Sequence, residues 1–256
     1  MHIDSDMHIG KFSGDPYVWL GHPIGPAELE AIMDEYQLAM TMVMAPTAQY
    51  PDNESLAIAI AGHKRLIGFA VVNPYGPGDG VPELRRAVME WGMRGLKLMP
   101  LRHGYEADGR TARKIMECAA ELRVPVSIHS GAQFCLPWQI ASLARLFPTV
   151  PVIMDHMGYR YYVDGAIEVA QEVPNIYLQT ALVSMPGYIR MAVDKAGADR
   201  VIYGSGYPSG HPASMIATIK AAKLSPAQEA LVMGGNLARL MNLEKETKKQ
   251  TATNNR

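Results

Sequence analysis

Three histidines, each followed within two residues by a glycine, end short apolar runs: His8 in "HIDSDMHIG", His129 in "VSIHSG" and His156 in "VIMDHMG". A neutral imidazole nitrogen binds divalent ions, and the ring exchanges a proton near neutral pH, so three such groups in one place could support either chemistry. Asp6 stands two residues before His8. Residues two apart on a strand share a face, so the Asp6 carboxylate and the His8 ring should point the same way. Asp4 falls one step deeper on that face, as a hydrogen-bonded core carboxylate or as a further catalytic one.

The elements that would hold these residues repeat about eight times along the chain. Apolar or β-branched runs cover 2–9, 39–47, 66–74, 95–100, 124–131, 151–158, 175–182 and 200–208. Their near-continuous apolar character suits parallel strands covered on both faces. Amphipathic stretches such as "GPAELEAIMDEYQL", "GVPELRRAVMEWG", "TARKIMECAAELR" and "WQIASLARLF" lie between them and read as helices. Eight strand–helix units in this length predict an α/β chain folded as a single (β/α)8 TIM barrel, with an open doubly wound sheet as the alternative. A barrel would gather the three strand-end histidines around one axis, at the face where such folds place their active sites. The barrel is expected over 1–243, closing with "SPAQEALVMGGNLARLMNL" as a capped helix, a glycine break and a last helix. The polar, aperiodic tail 244–256 is expected to be disordered.

A chain of 256 residues that is 48% hydrophobic can bury a large core without a disulfide or a metal to hold it. A formal net charge of −1 offers no general attraction to nucleic acid or anionic lipid, so the expected partner is a small-molecule substrate. No apolar run approaches the roughly 18 residues of a membrane helix. Two cysteines, Cys118 and Cys135, and no charged-then-apolar leader predict a reducing, cytoplasmic setting. Cys118 reads as core, and Cys135, in the loop after His129, as core or as a reactive thiol. The glycine-rich "GSGYPSG" follows the last strand and lacks the spacing of a dinucleotide site; no phosphate loop or Gly-x-Ser-x-Gly elbow is present.

Taken together, "IDSDMHIG", "GLKLMPLRHGY", "VSIHSG", "VIMDHMG", "VIYGSGYP" and "GGNLARLMNL" resemble the amidohydrolase superfamily, in particular the branch that includes aminocarboxymuconate semialdehyde decarboxylase and its hydrolase relatives. The resemblance runs over most of the chain. It implies the amidohydrolase type of (β/α)8 barrel and a pairing of barrels, hence a possible homodimer. It also implies hydrolysis of a small, carboxylate-bearing cyclic or aromatic compound, with decarboxylation or ligand binding without turnover as alternatives. His8, His129 and His156 match family positions. Asp6 stands where the family has its first histidine, Met99 where many relatives have histidine, and Gly206 where nearly all have the aspartate that binds metal and handles the proton of the attacking water.

Three accounts of Gly206 stay open at this point. In the first, Asp6 replaces the lost charge, so that Asp6, His8, His129 and His156 bind one divalent ion, zinc by its donor preference. Alternatively no metal binds, and His156 acts as acid or base beside Asp155 while Lys97 and Arg102 or Arg160 hold an anionic substrate group. In the third account the barrel binds without turning over, or the glycine disables an ordinary site. If the glycine is functional, it serves either a left-handed backbone or the making of room, and room is the expected reason. Met99, His103, Tyr159 and Tyr207 complete the expected substrate contacts, and His211 could reach back toward the ion position.

Overall fold

Strands that are covered on both faces must be apolar throughout, and every apolar run does become a strand of one parallel sheet. The computed structural model describes residues 1–11, 23–46 and 48–243; the expected tail, 244–256, lies outside the described residues. The strands are β1 (His2–His8), β2 (Leu38–Met44), β3 (Leu66–Val71), β4 (Gly95–Leu98), β5 (Val126–Ile128), β6 (Val152–Met154), β7 (Ile176–Gln179) and β8 (Val201–Ile202). They pair in chain order, all parallel. Backbone bonds from Ser5 N to Tyr203 O (3.1 Å) and from His8 N to Tyr207 O (2.9 Å) bring the last strand back to the first. The expected (β/α)8 TIM barrel is therefore what the chain forms, and the open sheet is excluded.

Helices alternate with the strands. Pro26–Glu35, Val81–Met89, Arg110–Leu122 and Pro137–Leu146 correspond to the four quoted amphipathic stretches, three with proline in the first turn, where its missing N–H costs nothing. In Arg110–Leu122 the buried face is Ala112, Ile115, Met116, Cys118 and Ala119, a helical stripe against the sheet. The closing segment also follows its expected plan: Ser225 caps Pro226–Ala230 in a reciprocal capping box with Gln228, a wide turn covers Leu231–Gly235, and Asn236–Leu240 is the last helix.

The eighth strand departs most from expectation, two residues in place of the run 200–208. Beyond Ile202 the backbone donors leave the ladder: Tyr203 N reaches Val232 O (2.9 Å), Gly204 N reaches Thr180 Oγ1 (3.2 Å) and Ser205 N reaches Asp4 Oδ1 (3.0 Å). Main-chain bonding to β1 resumes at Gly206, whose N–H donates to Asp6 O (2.9 Å). Every donor is satisfied, but the regular ladder is not what satisfies it.

Candidate active site

Parallel strands all end at one face, and there the barrel opens into a cavity of about 660 Å³ whose walls include Asp6, His8, Lys97, His129 and His156. Asp6 and His8 come from β1, Lys97 from β4, His129 from the residue after β5, and His156 from the turn after β6. Alternation along the strand puts Asp6 and His8 on the inner face, as expected.

The turn that carries His156 is held in an uncommon conformation. His156, Met157, Gly158 and Tyr159 all have positive φ, at 59°, 49°, 76° and 55°. Non-glycine residues rarely adopt this region, and a run of them persists only where the surroundings enforce it. Ser130 is the enforcing group: its hydroxyl donates to the Asp155 carbonyl and accepts from Gly158 N (2.9 Å), so it clasps both sides of His156. The His156 ring is fixed in turn by Nδ1, 3.0 Å from the Ala181 carbonyl. That contact makes Nδ1 the donor and leaves Nε2 as the basic nitrogen. His129 packs edge-on against this ring, centroids 5.0 Å apart.

Lys97 lies between two carboxylates. Its ammonium donates to Asp155 Oδ2 and stands 3.8 Å from Asp6 Oδ1, with all three side chains almost wholly buried. The Ser127 hydroxyl donates to the other Asp155 oxygen at 2.6 Å. Burial alone would lower the Lys97 pKa, but Asp155 and Asp6 outweigh it, so the ammonium stays charged above its ordinary range. Burial likewise acts to raise Asp6, yet Lys97 and the His8 ring hold its carboxyl well below the usual range. The His8 Nε2 to Asp6 Oδ1 distance is 3.5 Å, an ion-pair spacing that leaves Oδ1 buried without a hydrogen bond. Burial pushes His156 down despite Asp155 and Asp6 nearby. It pushes His129 further, with His156 and Lys97 adding to the effect. Both rings are neutral at pH 7.

Of the expected substrate contacts, Met99, Arg102, Tyr159 and Gly206 line the cavity. Arg102 is exposed on its wall, and among the described residues no carboxylate pairs with it. The others are directed elsewhere. His103 is buried, with Nε2 2.9 Å from the Ala48 carbonyl. The Tyr207 hydroxyl donates to Glu28 (2.7 Å), and Arg160 is exposed outside the lining. Asp155 is fully buried outside the cavity lining, engaged by Lys97 and Ser127. His211 caps the helix Pro212–Ala221, its Nδ1 accepting from Ala213 N. Cys135 is fully buried and its thiol is pushed up to about 11, chiefly by burial, the opposite of a reactive cysteine.

Gly206 has φ +73°, and a Cβ there would lie 3.2 Å from Leu182 Cγ and 3.6 Å from Ala181 Cβ. The left-handed backbone is thus the reason for glycine, and the expected empty room beside it is occupied by Leu182. Ser127, Ser130 and Leu182 escaped the sequence reading. Ser127 was within reach, since it shares the inner face of β5 with His129 by the two-residue period.

A family model for amidohydrolases matches residues 21–243, and the chain belongs to that family. The match begins after β1, so Asp6 and His8 precede it. No curated protein matches the sequence. Among solved structures, 2,6-dihydroxybenzoate decarboxylase from Rhizobium is similar at 17% identity and TM-score 0.74, covering 95% of this chain and 99% of that one. A probable 2-pyrone-4,6-dicarboxylic acid hydrolase from Acinetobacter baumannii, with citric acid bound, is similar at 16% and 0.75, covering 94% and 99%. A dihydroxybenzoic acid decarboxylase from Polaromonas sp. JS666, with manganese and the inhibitor 2-nitroresorcinol bound, is similar at 17% and 0.76, covering 95% and 97%. At these identities the likeness concerns the fold.

The bound manganese of that decarboxylase raises the question whether this chain's donors suit an ion. Asp6 is near His8, and His129 is near His156, but among the described residues no three imidazole, carboxylate or thiol side chains are grouped closely enough to hold one. The ammonium of Lys97 is instead the cation beside Asp6, and Gly206 brings no carboxylate from the eighth strand. The residues present do not fit the ion.

Proposed function

We propose that this barrel is an enzyme that hydrolyses a small, carboxylate-bearing cyclic or aromatic compound. The observation that carries the reading is His156, a buried neutral imidazole fixed through Nδ1, with its second nitrogen left to a cavity whose wall bears the exposed Arg102. Arg102 binds the substrate carboxylate. His156 Nε2 takes one proton from a water whose oxygen bonds to the substrate carbonyl carbon, while the carbonyl π pair moves onto oxygen. When that pair returns and the carbon–heteroatom bond breaks, the proton passes from His156 to the leaving group, and the ring ends neutral. Lys97 supplies positive charge at the cavity floor throughout, and Met99 and Tyr159 present apolar surface to a ring.

Zinc held by Asp6, His8, His129 and His156, the ion expected from sequence, is a competing version that the donor geometry disfavours, and no step here uses it. Decarboxylation is the second reading, favoured by the decarboxylases among the similar folds. The two free, buried cysteines suit a cytoplasmic setting. No helix among the described residues is long and apolar enough to cross a membrane.

The test is a panel of carboxylated lactones, cyclic amides and hydroxybenzoates, followed for ring opening and for carbon dioxide release. Ring opening that disappears in His156→Asn supports hydrolysis, and carbon dioxide without it establishes the second reading. Binding without turnover of any member would make the protein a ligand-binding barrel.

A further inference from the structure

At the floor of the cavity, where a divalent ion would need its negative ligands, both available carboxylates are already engaged with a lysine. Asp155 and Asp6 flank Lys97 Nζ, Ser127 fixes the far side of Asp155, and nothing acidic enters from the eighth strand. We infer that the Lys97 ammonium is this chain's own substitute for the family's ion, and that it excludes zinc from the Asp6, His8, His129 and His156 donors. The inference rests on the reading of this cavity as the active site and deepens it.

Charge balance argues for it first. Asp6 and Asp155, the two carboxylates of this buried site, both face the Lys97 ammonium. A divalent ion added there would stand against an ammonium already 3.8 Å from the one anionic donor. Like charges this close in a buried site are strongly unfavourable. Geometry argues for it independently. Lys97 is 2% exposed yet lines the cavity, so its head group faces substrate while its stem is locked in the barrel. The eighth-strand corner is closed to a replacement ligand by the Gly206 backbone and by Leu182 behind it. An ammonium held this way can face the oxygen that gains charge when water adds to a carbonyl, donating a hydrogen bond without giving up its proton. Its role needs no bound metal.

Zinc binding measured without substrate tests this. Removing Lys97 alone would strand the Asp155 charge, so the variant is Lys97→Met with Asp155→Asn, which keeps an acceptor for Ser127. Competition against a chromophoric chelator should show wild-type protein holding far less than one zinc per chain. The double variant, verified as folded by circular dichroism, keeps the net charge of the site but removes the ammonium 3.8 Å from Asp6, and should bind zinc more tightly by on the order of 10-fold or more, the scale of a screened like charge at that distance. Wild-type protein that holds nearly one zinc per chain and loses it in Asp6→Asn overturns the inference. So does a folded double variant that binds zinc no better than the wild type. Should the double variant not fold, the wild-type titration alone decides. An absence of turnover on the carboxylated panel would sink the proposed function and leave the zinc result standing, so the two failures are distinguishable.

Discussion

His156 Nδ1 stands 3.0 Å from the carbonyl of Ala181, a backbone group just past the next strand, β7, that fixes which nitrogen of the ring can act as a base. This contact makes His156→Asn an informative variant. Asparagine tolerates the left-handed backbone better than most residues, so the turn at φ 59° should survive. Turnover should fall by about 100- to 10,000-fold, the usual contribution of a general acid–base group, with the thermal midpoint little changed. Steady-state kinetics and a melting curve measure both.

Because burial lowers the pKa of His156, the basic form persists below pH 6.5. The kcat/KM profile should therefore stay flat through that point and drop only at a lower pH. The same burial of His156 and His129 affects stability in a definite direction. The unfolded chain protonates these rings near pH 6.5 and the folded chain does not, so their contribution to stability is present above that value and is lost progressively as pH falls below it. Denaturant titrations at a series of pH values measure the slope, which His129→Asn should reduce.

Asp4 acts with the opposite sign. Burial raises its carboxyl to about 7, against hydrogen bonds from Ser205 and Asp6 that favour the charged form. The folded protein thus holds a proton that the unfolded chain has lost, and stability declines as pH rises from about 4 through 7. Asp4→Asn keeps an oxygen for the Ser205 and Asp6 N–H groups and removes the titration. The variant should gain stability at pH 8 relative to pH 5 when compared with the wild type in urea.

For Gly206 the backbone governs the outcome. Gly206→Ala and Gly206→Asp should both destabilise the protein by roughly 1–2 kcal/mol, the cost of a Cβ in left-handed conformation, with Leu182 having to yield a few tenths of an ångström. Equal losses in the two variants, read by chemical denaturation, are the expected result. A much larger loss for aspartate would assign the effect to charge.

The sequence disclosed the site unevenly, for physical reasons. Asp6, His8 and His129 were legible because the two-residue period of a strand decides which way a side chain points. His156 was legible by position, although it belongs to a left-handed turn and not to the strand; that conformation depends on Ser130, a partner 26 residues away in sequence. His103, Arg160 and Tyr207 follow strand ends, where no period governs direction, and local acceptors such as the Ala48 carbonyl and Glu28 claim two of them. The pairing of Lys97 with Asp155 joins β4 to the end of β6 across β5, a contact set by the inward curvature of the sheet and not by local sequence. Gly206 shows the limit clearly: a glycine is compatible with free space and with positive φ, and only its neighbours distinguish them.

At the seam between β8 and β1 the Ser205 backbone donor is answered by the Asp4 side chain. Seen as a clasp, it makes the circumference of the barrel depend on an ionisable group. Substitutions among the inward residues of β1 are then never purely chemical, because those that alter the carboxylate also alter the fastening of the hoop. Adaptation to new substrates should meet least resistance on the opposite wall, at Leu101, Arg102 and Tyr159, whose side chains line the opening without holding it shut.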